Sequence, residues 1–499
     1  MTTKDPSYTK YMNKILSIPE SVKKISKTLT SAGFECFVVG GSVRDLLIGR
    51  VPTDWDLTTN ATPEQIIGLF PHTFYENEYG TVGVVNDEEQ DETLKTVEVT
   101  PFRIESEYSD FRRPDSVKWG KTIEEDLARR DFTMNAIAYN VEDQKLIDPY
   151  QGEDDIKKGL IRTVGDPAKR FTEDALRMLR AIRLSATLGF AIESETQDAI
   201  LKNVNLLEHI SKERIRDEFI KLIMSDSPAT ALDLSARLKI LPFISPEFEK
   251  GIGMEQNQAH AYTVWEHLLR SLDYTAKEKF PLYVRLAALL HDIAKPHTRK
   301  WLNNQWTFYG HDVVGSRIAK NILIDLKFPK EIIEKVGKLV RWHMFFSDTE
   351  EITLSAVRRM VRNVTPELIW DLMDIRAADR IGTGRPKVDP YRLRKYHSMI
   401  EEVMRDPISV KQLKVNGEDI MKLTETKGGP HVGFILEILL SEVLEDPTLN
   451  TQEYLEKRVS ELHALPFEEL TKQGRAARGN NENEDEKEVE KIKGKHGVR

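Results

Sequence analysis

Val39-Gly-Gly-Ser-Val-Arg-Asp-Leu-Leu-Ile-Gly-Arg-Val-Pro-Thr-Asp-Trp-Asp-Leu57 is the stretch on which the fold turns. Phe37-Val38-Val39 predicts a short buried strand that ends at Gly40 and Gly41. Ser42 to Gly49 predicts a helix, and Asp54-Trp-Asp-Leu57 a second strand. Side chains alternate along a strand with period two, so Asp54 and Asp56 are expected on one face. Two adjacent carboxylates repel unless a cation lies between them. The glycines let the backbone come close to a ligand, and the following helix offers free N–H groups to an anion. Phosphate-binding and metal-binding equipment therefore stand about a dozen residues apart, on neighbouring elements. Either half alone is common: Gly-Gly turns precede many helices, and Asp-x-Asp is often a solvated loop or a cap.

Outward from this stretch, 499 residues are enough for several domains, since single cores rarely grow beyond ~250–300 residues. Hydrophobic residues make up 40% and charged residues 31%, which suits a folded, helix-rich chain rather than a disordered one. The longest apolar runs, such as Leu286–Leu290, fall far short of the ~20 residues a membrane span needs. The N-terminus, Met-Thr-Thr-Lys-Asp-Pro, has no apolar core segment of a signal peptide. Cys36 is the only cysteine, so no disulfide forms within the chain, and its strand setting predicts an inert thiol. A cytoplasmic protein is expected. The net charge of −9 argues against a non-specific nucleic-acid coat. A basic track runs from Lys157 to Arg183 and includes Arg162, Arg170, Arg177 and Arg180, although a solvated helix face explains it as well.

Residues 1–18 read as a loose leader, and Ser21 to Ala32 as a helix stopped by Gly33. Pro63 is well placed in the first turn of a further helix. Gly83-Val-Val and Lys95–Thr100 alternate as strands around an acidic tip. Glu98 lies between Val97 and Val99 and so faces away from the core. If its strand neighbours the Asp54–Asp56 strand, it completes a three-carboxylate cluster; otherwise it pairs with a cation such as Arg103. Glu105 to Gly120, with Asp110-Phe-Arg-Arg-Pro-Asp115, shows no periodicity and reads as a mobile loop. Arg129, Arg130 and Asp131 precede apolar Phe132 and Met134, so these charges are held at the edge of a core. Asp148 to Arg162 reads as a turn, short helix and strand closing the sheet. Phe171 to Arg183 reads as one helix with Leu176, Leu179 and Ile182 inward and Asp174 and Arg177 together on another face. An exposed pair of that kind contributes only ~0.2–0.5 kcal/mol, so stability alone hardly requires it.

Gly40-Gly41-x-Val43-Arg44-Asp45 … Gly49 … Asp54-x-Asp56 resembles the first motif of class II tRNA nucleotidyltransferases, the bacterial CCA-adding enzymes and poly(A) polymerases. Arg129-Arg-Asp-Phe-Thr-x-Asn-Ala136 resembles the family's second motif, which implies that Arg130 and Asp131 contact the nucleotide, supported by Asn135. Glu173-Asp-x-x-Arg177 resembles its fourth, where Asp174 and Arg177 would read the base edge as a protein template, with Arg180 a further nucleotide contact. The family's flexible loop falls at 105–120. The resemblance implies an α+β fold. A polymerase-beta-like head with a mixed sheet is followed by all-α neck, body and tail regions. It also implies Mg2+ on Asp54 and Asp56, with CTP, ATP and the tRNA acceptor arm as partners.

A second constellation comprises His267, His291-Asp292 at the end of an apolar helix, and Asp379. Burying such groups is costly unless they bind something. In order they resemble the HD-domain metal phosphohydrolases, with His311 and His343 as further candidate ligands. Such a set suits a divalent transition metal or Mg2+; helix packing with satisfied histidines is the alternative. The expected divisions are a leader (1–18), a catalytic head (19–165), a helical neck and body (166–250), an HD domain (251–390), a C-terminal helical region (391–472) and a disordered tail (473–499). The leading expectation is template-independent addition of C, C and A to tRNA. A poly(A) polymerase, a CC-only or A-only enzyme, and a protein that is chiefly an HD phosphohydrolase or phosphodiesterase remain open.

Overall fold

The computed structural model describes residues 12–13, 15–75, 80–105, 117–256, 261–302, 304–344, 352–385, 387–388 and 390–478. The segment Asp110–Asp115 and the end of the chain from residue 479 lie outside them. The chain is α+β and divides into two compact units, Met1–Ile244 and Ser245–Arg499. No helix among the described residues is long and apolar enough to cross a membrane.

The first unit is built on an eight-stranded mixed sheet: β1 (Met12–Asn13), β2 (Cys36–Val39), β3 (Asp56–Thr59), β4 (Thr73–Tyr75), β5 (Val82–Val85), β6 (Thr96–Pro101), β9 (Ala138–Asn140) and β10 (Lys145–Ile147). A separate pair, β7 (Arg103–Glu105) and β8 (Val117–Trp119), puts strand at both ends of the stretch from Glu105 to Gly120 that reads as a loop. The strand order is β1-β10-β9-β2-β3-β6-β5-β4. All four residues of β2 are buried, as a central strand covered on both faces requires. β3 runs antiparallel to β2, with Phe37 opposite Thr58, and parallel to β6, with Asp56 opposite Glu98. In β6, Val97 and Val99 are buried while Glu98 is exposed, which is the alternation the sequence predicts. Beneath the sheet Phe37, Phe102, Ile123 and Leu127 form one apolar cluster. The Cys36 thiol is buried and pushed up to about 12 by that burial.

Three helices pack on this sheet: α1 (Glu20–Ser31), α2 (Gly41–Leu47) and α3 (Pro63–Leu69). Two more stand on either side of the Arg129–Ala136 stretch, α4 (Ile123–Ala128) before it and α5 (Gly152–Lys158) after it. Thr62 and Thr122 close capping boxes with Gln65 and Glu125 at the starts of α3 and α4. The helical remainder of this unit is α6 (Pro167–Glu173), α7 (Leu176–Leu188), α8 (Ser194–Asn203), α9 (Lys212–Ile223), α10 (Pro228–Arg237) and α11 (Leu241–Ile244).

Several expectations need correction. The second strand starts at Asp56, so Asp54 stands in the bend before it rather than two residues along the same strand. The leader contributes β1, whose Met12 pairs with Leu146 on β10. The strand after Asp148 does not close the sheet: β11 (Leu160–Ile161) pairs in parallel with β12 (Ala191–Ile192), and β9, β10 and the edge strand β1 complete that side of the sheet. The helix expected over Phe171–Arg183 is broken at Asp174. That residue is extended (φ −144°, ψ 104°), and its Oδ1 accepts the Leu176 N–H at 3.1 Å. A short carboxylate competing for backbone N–H groups is what turns an interior helix position into a cap.

Among the described residues the second unit is helical apart from one hairpin, β13 (Lys300–Leu302) and β14 (Gln305–Thr307). Its first helices are α12 (Val264–Lys277), α13 (Leu282–Leu290), α14 (Lys295–Thr298), α15 (His311–Asp325), α16 (Lys330–Trp342), α17 (Leu354–Val364) and α18 (Ile369–Gly382). The last are α19 (Tyr391–Val403), α20 (Gly417–Thr424), α21 (Pro430–Glu445), α22 (Gln452–His463) and α23 (Phe467–Arg478). The tail read from Gln473 is therefore helical as far as Arg478. Leu470 and Gly474 are buried there, with Gly474 close enough to α21 that a Cβ would meet the Phe434 side chain at 2.5 Å.

Candidate active sites

Gly40 adopts φ +73°, a left-handed conformation that favours glycine. A Cβ there would lie 2.9 Å from an Arg130 guanidinium nitrogen and 3.5 Å from Asp56 Oδ2. The turn thus brings its backbone directly onto a carboxylate and an arginine. Asp56 and Glu98, register partners on β3 and β6, line a cavity of about 200 Å³ with Arg129 and Arg130. Burial raises the Asp56 carboxyl pKa and Asp54 adds to this, while Arg130 and Arg44 oppose it. Asp54 itself is exposed. A donor set made only of carboxylate oxygens suits a hard divalent cation.

A chain of polar contacts continues from α2. Arg44 donates to Asn135 Oδ1 at 2.8 Å, and Asn135 donates to Asp131 Oδ1 at 3.0 Å. Arg180 on α7 donates to Asp131 Oδ2 at 2.9 and 2.6 Å. Burial works to raise the Asp131 carboxyl pKa, but Arg180 and Asn135 hold it well below the usual carboxylate range. Beside it, the fully buried Asp126 accepts from Arg129 at 2.6 Å and from Arg130 at 3.0 Å. Asp126 on α4 is three and four residues before these arginines, so one helical turn delivers both guanidiniums to one carboxylate.

A second cavity of about 270 Å³ shares Arg129 and Arg130 with the first and adds Asp131, Asp174, Arg177 and Arg214. The expected pairing of Asp174 with Arg177 is not what holds them. Across the break before α7 the Arg177 backbone N–H donates to the Asp174 carbonyl at 3.1 Å, and each side chain has another partner. Arg214 on α9 donates to Asp174 Oδ2 at 2.8 Å, while Arg177 donates to Glu173 Oε2 at 2.8 Å and to the Arg129 carbonyl at 3.1 Å. Sequence reading missed Asp126, Glu173 and Arg214. The i,i+3 and i,i+4 spacing could have found Asp126; nothing local signals that Arg214 reaches the break between α6 and α7. The basic track is largely neutralised in place, with Arg162 on Asp155, Arg170 on Glu173, Arg180 on Asp131 and Arg183 on Glu218.

The second constellation comes together inside the second unit. His267 (α12) and His291 (end of α13) approach through their Nε2 atoms at 2.9 Å. Asp292 Oδ2 lies 3.1 Å from His267 and 3.4 Å from His291, and Asp379 Oδ1 on α18 lies 3.5 Å from His267. The other oxygen of Asp292 faces His311 at 3.2 Å and His343 at 3.7 Å, and the Nε2 atoms of those two histidines are 3.3 Å apart. Two ligand groups therefore share one carboxylate: His267-His291-Asp292 and Asp292-His311-His343. Nδ1 of His291, His311 and His343 lies 2.7–2.8 Å from the carbonyls of Ala288, Phe308 and Val340. Nδ1–H donation to those carbonyls leaves Nε2 lone pairs converging on a buried centre, the arrangement that ligation by imidazole requires. Lys295 contacts Asp292 Oδ2 at 2.5 Å. A cavity of about 560 Å³ opens from this cluster.

Comparison with known proteins matches residues 36–162 to the poly A polymerase head domain, 189–252 to the probable RNA and SrmB-binding site of polymerase A, and 258–383 to the HD domain. The CCA-adding enzyme of Bacillus cytotoxicus is 34% identical over 451 residues, covering 88% of this chain and 98% of that one. The CCA-adding enzyme of Leuconostoc mesenteroides is 41% identical over 276 residues, covering 53% of this chain and 67% of that one. Among solved structures, the Bacillus stearothermophilus CCA-adding enzyme in complex with CTP aligns with a TM-score of 0.68 at 28% identity, covering 89% of this chain and 98% of that one.

Proposed function

The chain belongs to the CCA-adding enzyme family of tRNA nucleotidyltransferases, and from that premise we propose how its own residues carry out the reaction. It adds C, C and A from CTP and ATP to the 3′ end of tRNA without a nucleic-acid template, releasing pyrophosphate at each step. tRNA as the substrate supports a cytoplasmic location. Asp54, Asp56 and Glu98 would hold Mg2+, which supplies the charge that activates the terminal hydroxyl and balances the departing pyrophosphate. Gly40 and Gly41 let the triphosphate approach the backbone, and Arg44 and Arg130 face it with positive charge. Asp131, oriented by Asn135 and Arg180, accepts hydrogen bonds from the ribose hydroxyls. Asp174 accepts from the exocyclic amine that cytosine and adenine share, and Arg177 donates to the ring acceptor beside it. Glu173 and Arg214 fix these two side chains, as a reader of base edges needs.

The observation that supports this reading is that two head cavities share Arg129 and Arg130 in their walls, with Asp56 and Glu98 lining one and Asp174 and Arg177 lining the other. It is tested with tRNA ending before CCA, in C and in CC, each given CTP, ATP or both. CTP must be used on the first two and ATP on the third. Asp54→Ala is expected to abolish incorporation in a protein that still folds. Long A tails on unrelated RNA, or no use of CTP, would refute it.

A second activity is favoured by the converging imidazoles. His267, His291, Asp292 and Asp379, with His311 and His343, would hold divalent metal. When bound, it supplies an activated water for hydrolysis of a phosphate ester, giving an alcohol and phosphate. Around that position Lys295 holds Asp292, and the backbone carbonyls fix the histidine tautomers.

A further inference from the structure

The cavity beside the histidine cluster has a wall that ester hydrolysis alone does not explain. Trp306 on β14 lines it, and Trp301 on β13 is its register partner, the rings meeting edge to face at 4.9 Å between centroids. The Arg299 guanidinium lies 3.7 Å above the Trp306 ring. Cross-strand aromatic pairing steadies a short hairpin, but it does not require Trp301 to be 55% exposed or Tyr309, at the cavity mouth, 60% exposed. Arg376, Arg380 and Arg385 also line the cavity. Aromatic rings in the cavity wall (Trp306, Tyr309) and on the strand beside it (Trp301), bordered by guanidinium groups and Lys300, match the chemistry of stacked bases on a phosphate backbone. The cavity, at about 560 Å³, is in the size range of ligand sites that enclose a small molecule, and the exposed Trp301 lies beyond its lining.

We propose that this hairpin is a base-stacking platform and that the phosphate ester offered to the histidine cluster is carried on the end of a single RNA strand. The terminal base lies against Trp306 and Tyr309, and the next base covers Trp301. This rests on the phosphohydrolase reading of the cluster for its chemistry, but not for binding.

The test uses the full chain carrying Asp54→Ala, to silence nucleotide addition. Phosphate release is measured from RNA pentamers bearing a 3′-phosphate or a 5′-phosphate and from a nucleoside monophosphate, with Mn2+ supplied. Tryptophan quenching by a phosphate-free pentamer is read in parallel. Trp301→Ala should raise the pentamer KM roughly 5- to 150-fold, the range for one stacked base, and leave the mononucleotide KM, kcat and bound metal unchanged. Trp306→Ala should raise both KM values. Trp301→Leu keeps apolar cover for the hairpin but offers no aromatic face and should behave as the alanine variant, whereas Trp301→Phe should restore binding. Which pentamer is cleaved identifies the end that enters. The proposal is overturned if pentamer and mononucleotide have equal KM, or if Trp301→Ala and Trp301→Leu leave the pentamer KM unchanged. Trp306 quenching that Trp301→Ala shifts to higher pentamer concentration, with no phosphate released from any ester, keeps the platform and removes the hydrolase reading.

Discussion

Asp126 illustrates how one residue organises a site it does not enter. With no exposure of its own, it divides its two oxygens between Arg129 and Arg130, the side chains common to both head cavities. Burial works to raise its carboxyl pKa, yet the two guanidiniums hold it below its ordinary value, so it is charged wherever the protein is folded at neutral pH. Asp126→Asn preserves shape and removes that charge. A hydrogen bond to a charged group contributes ~1.5–3 kcal/mol, so kcat/KM for ATP on tRNA ending in CC is expected to fall roughly 10- to 100-fold. Steady-state incorporation checks this against a thermal melt of the same variant; a change under twofold would sink the assignment. The spacing Asp126, Arg129, Arg130 is visible in the sequence, whereas Arg214 against Asp174 is not, because 40 residues separate them and only folding packs α9 on α7, beside the break at Asp174.

At the level of elements, α18 carries two different chemistries. Asp379 points into the histidine cluster, while Asp371 accepts from the Tyr283 hydroxyl at 3.0 Å and Asp374 lies close by. Burial first, then Asp371 and Glu278, push the Asp374 carboxyl up to about 6. A raised carboxyl pKa means the folded state prefers the protonated form. Its stabilising contribution is complete below the ordinary value near 4 and is lost as pH rises through about 6. Asp374→Asn should therefore melt higher than the native chain at pH 7–8 and lose that advantage by pH 4, as read from melts across that interval. The α6–α7 break teaches a related lesson. Apolar spacing at Leu176, Leu179 and Ile182 correctly indicated a buried helix face but could not locate its start, which one Asp174–Leu176 hydrogen bond decides.

At the scale of the whole molecule, the second unit gathers its cluster from α12, α13, α15 and α18 and from His343 just after α16. Anything that binds there favours the folded state over the unfolded one. Saturation to a hundred times the dissociation constant stabilises by ~2.7 kcal/mol, or roughly 5–10 °C for a unit of this size. Differential scanning calorimetry with Mn2+, and again after chelation, should show that shift in the native chain and lose it in His291→Ala. A shift that survives His291→Ala would place the ion elsewhere.

The sequence by itself determined the glycine turn, the carboxylate strand and its outward Glu98, and the His-Asp pair closing an apolar helix. Each depends on residue type at short spacing, where strand and helix periodicity suffice. Only the tertiary structure decided what those residues meet. It set Asp56 level with Glu98 in parallel register, left Asp54 outside the strand, gave Asp174 to Arg214, and made Asp292 the carboxylate shared by two histidine pairs. Contacts across tens of residues depend on how sheet and helices pack, and no local period encodes that.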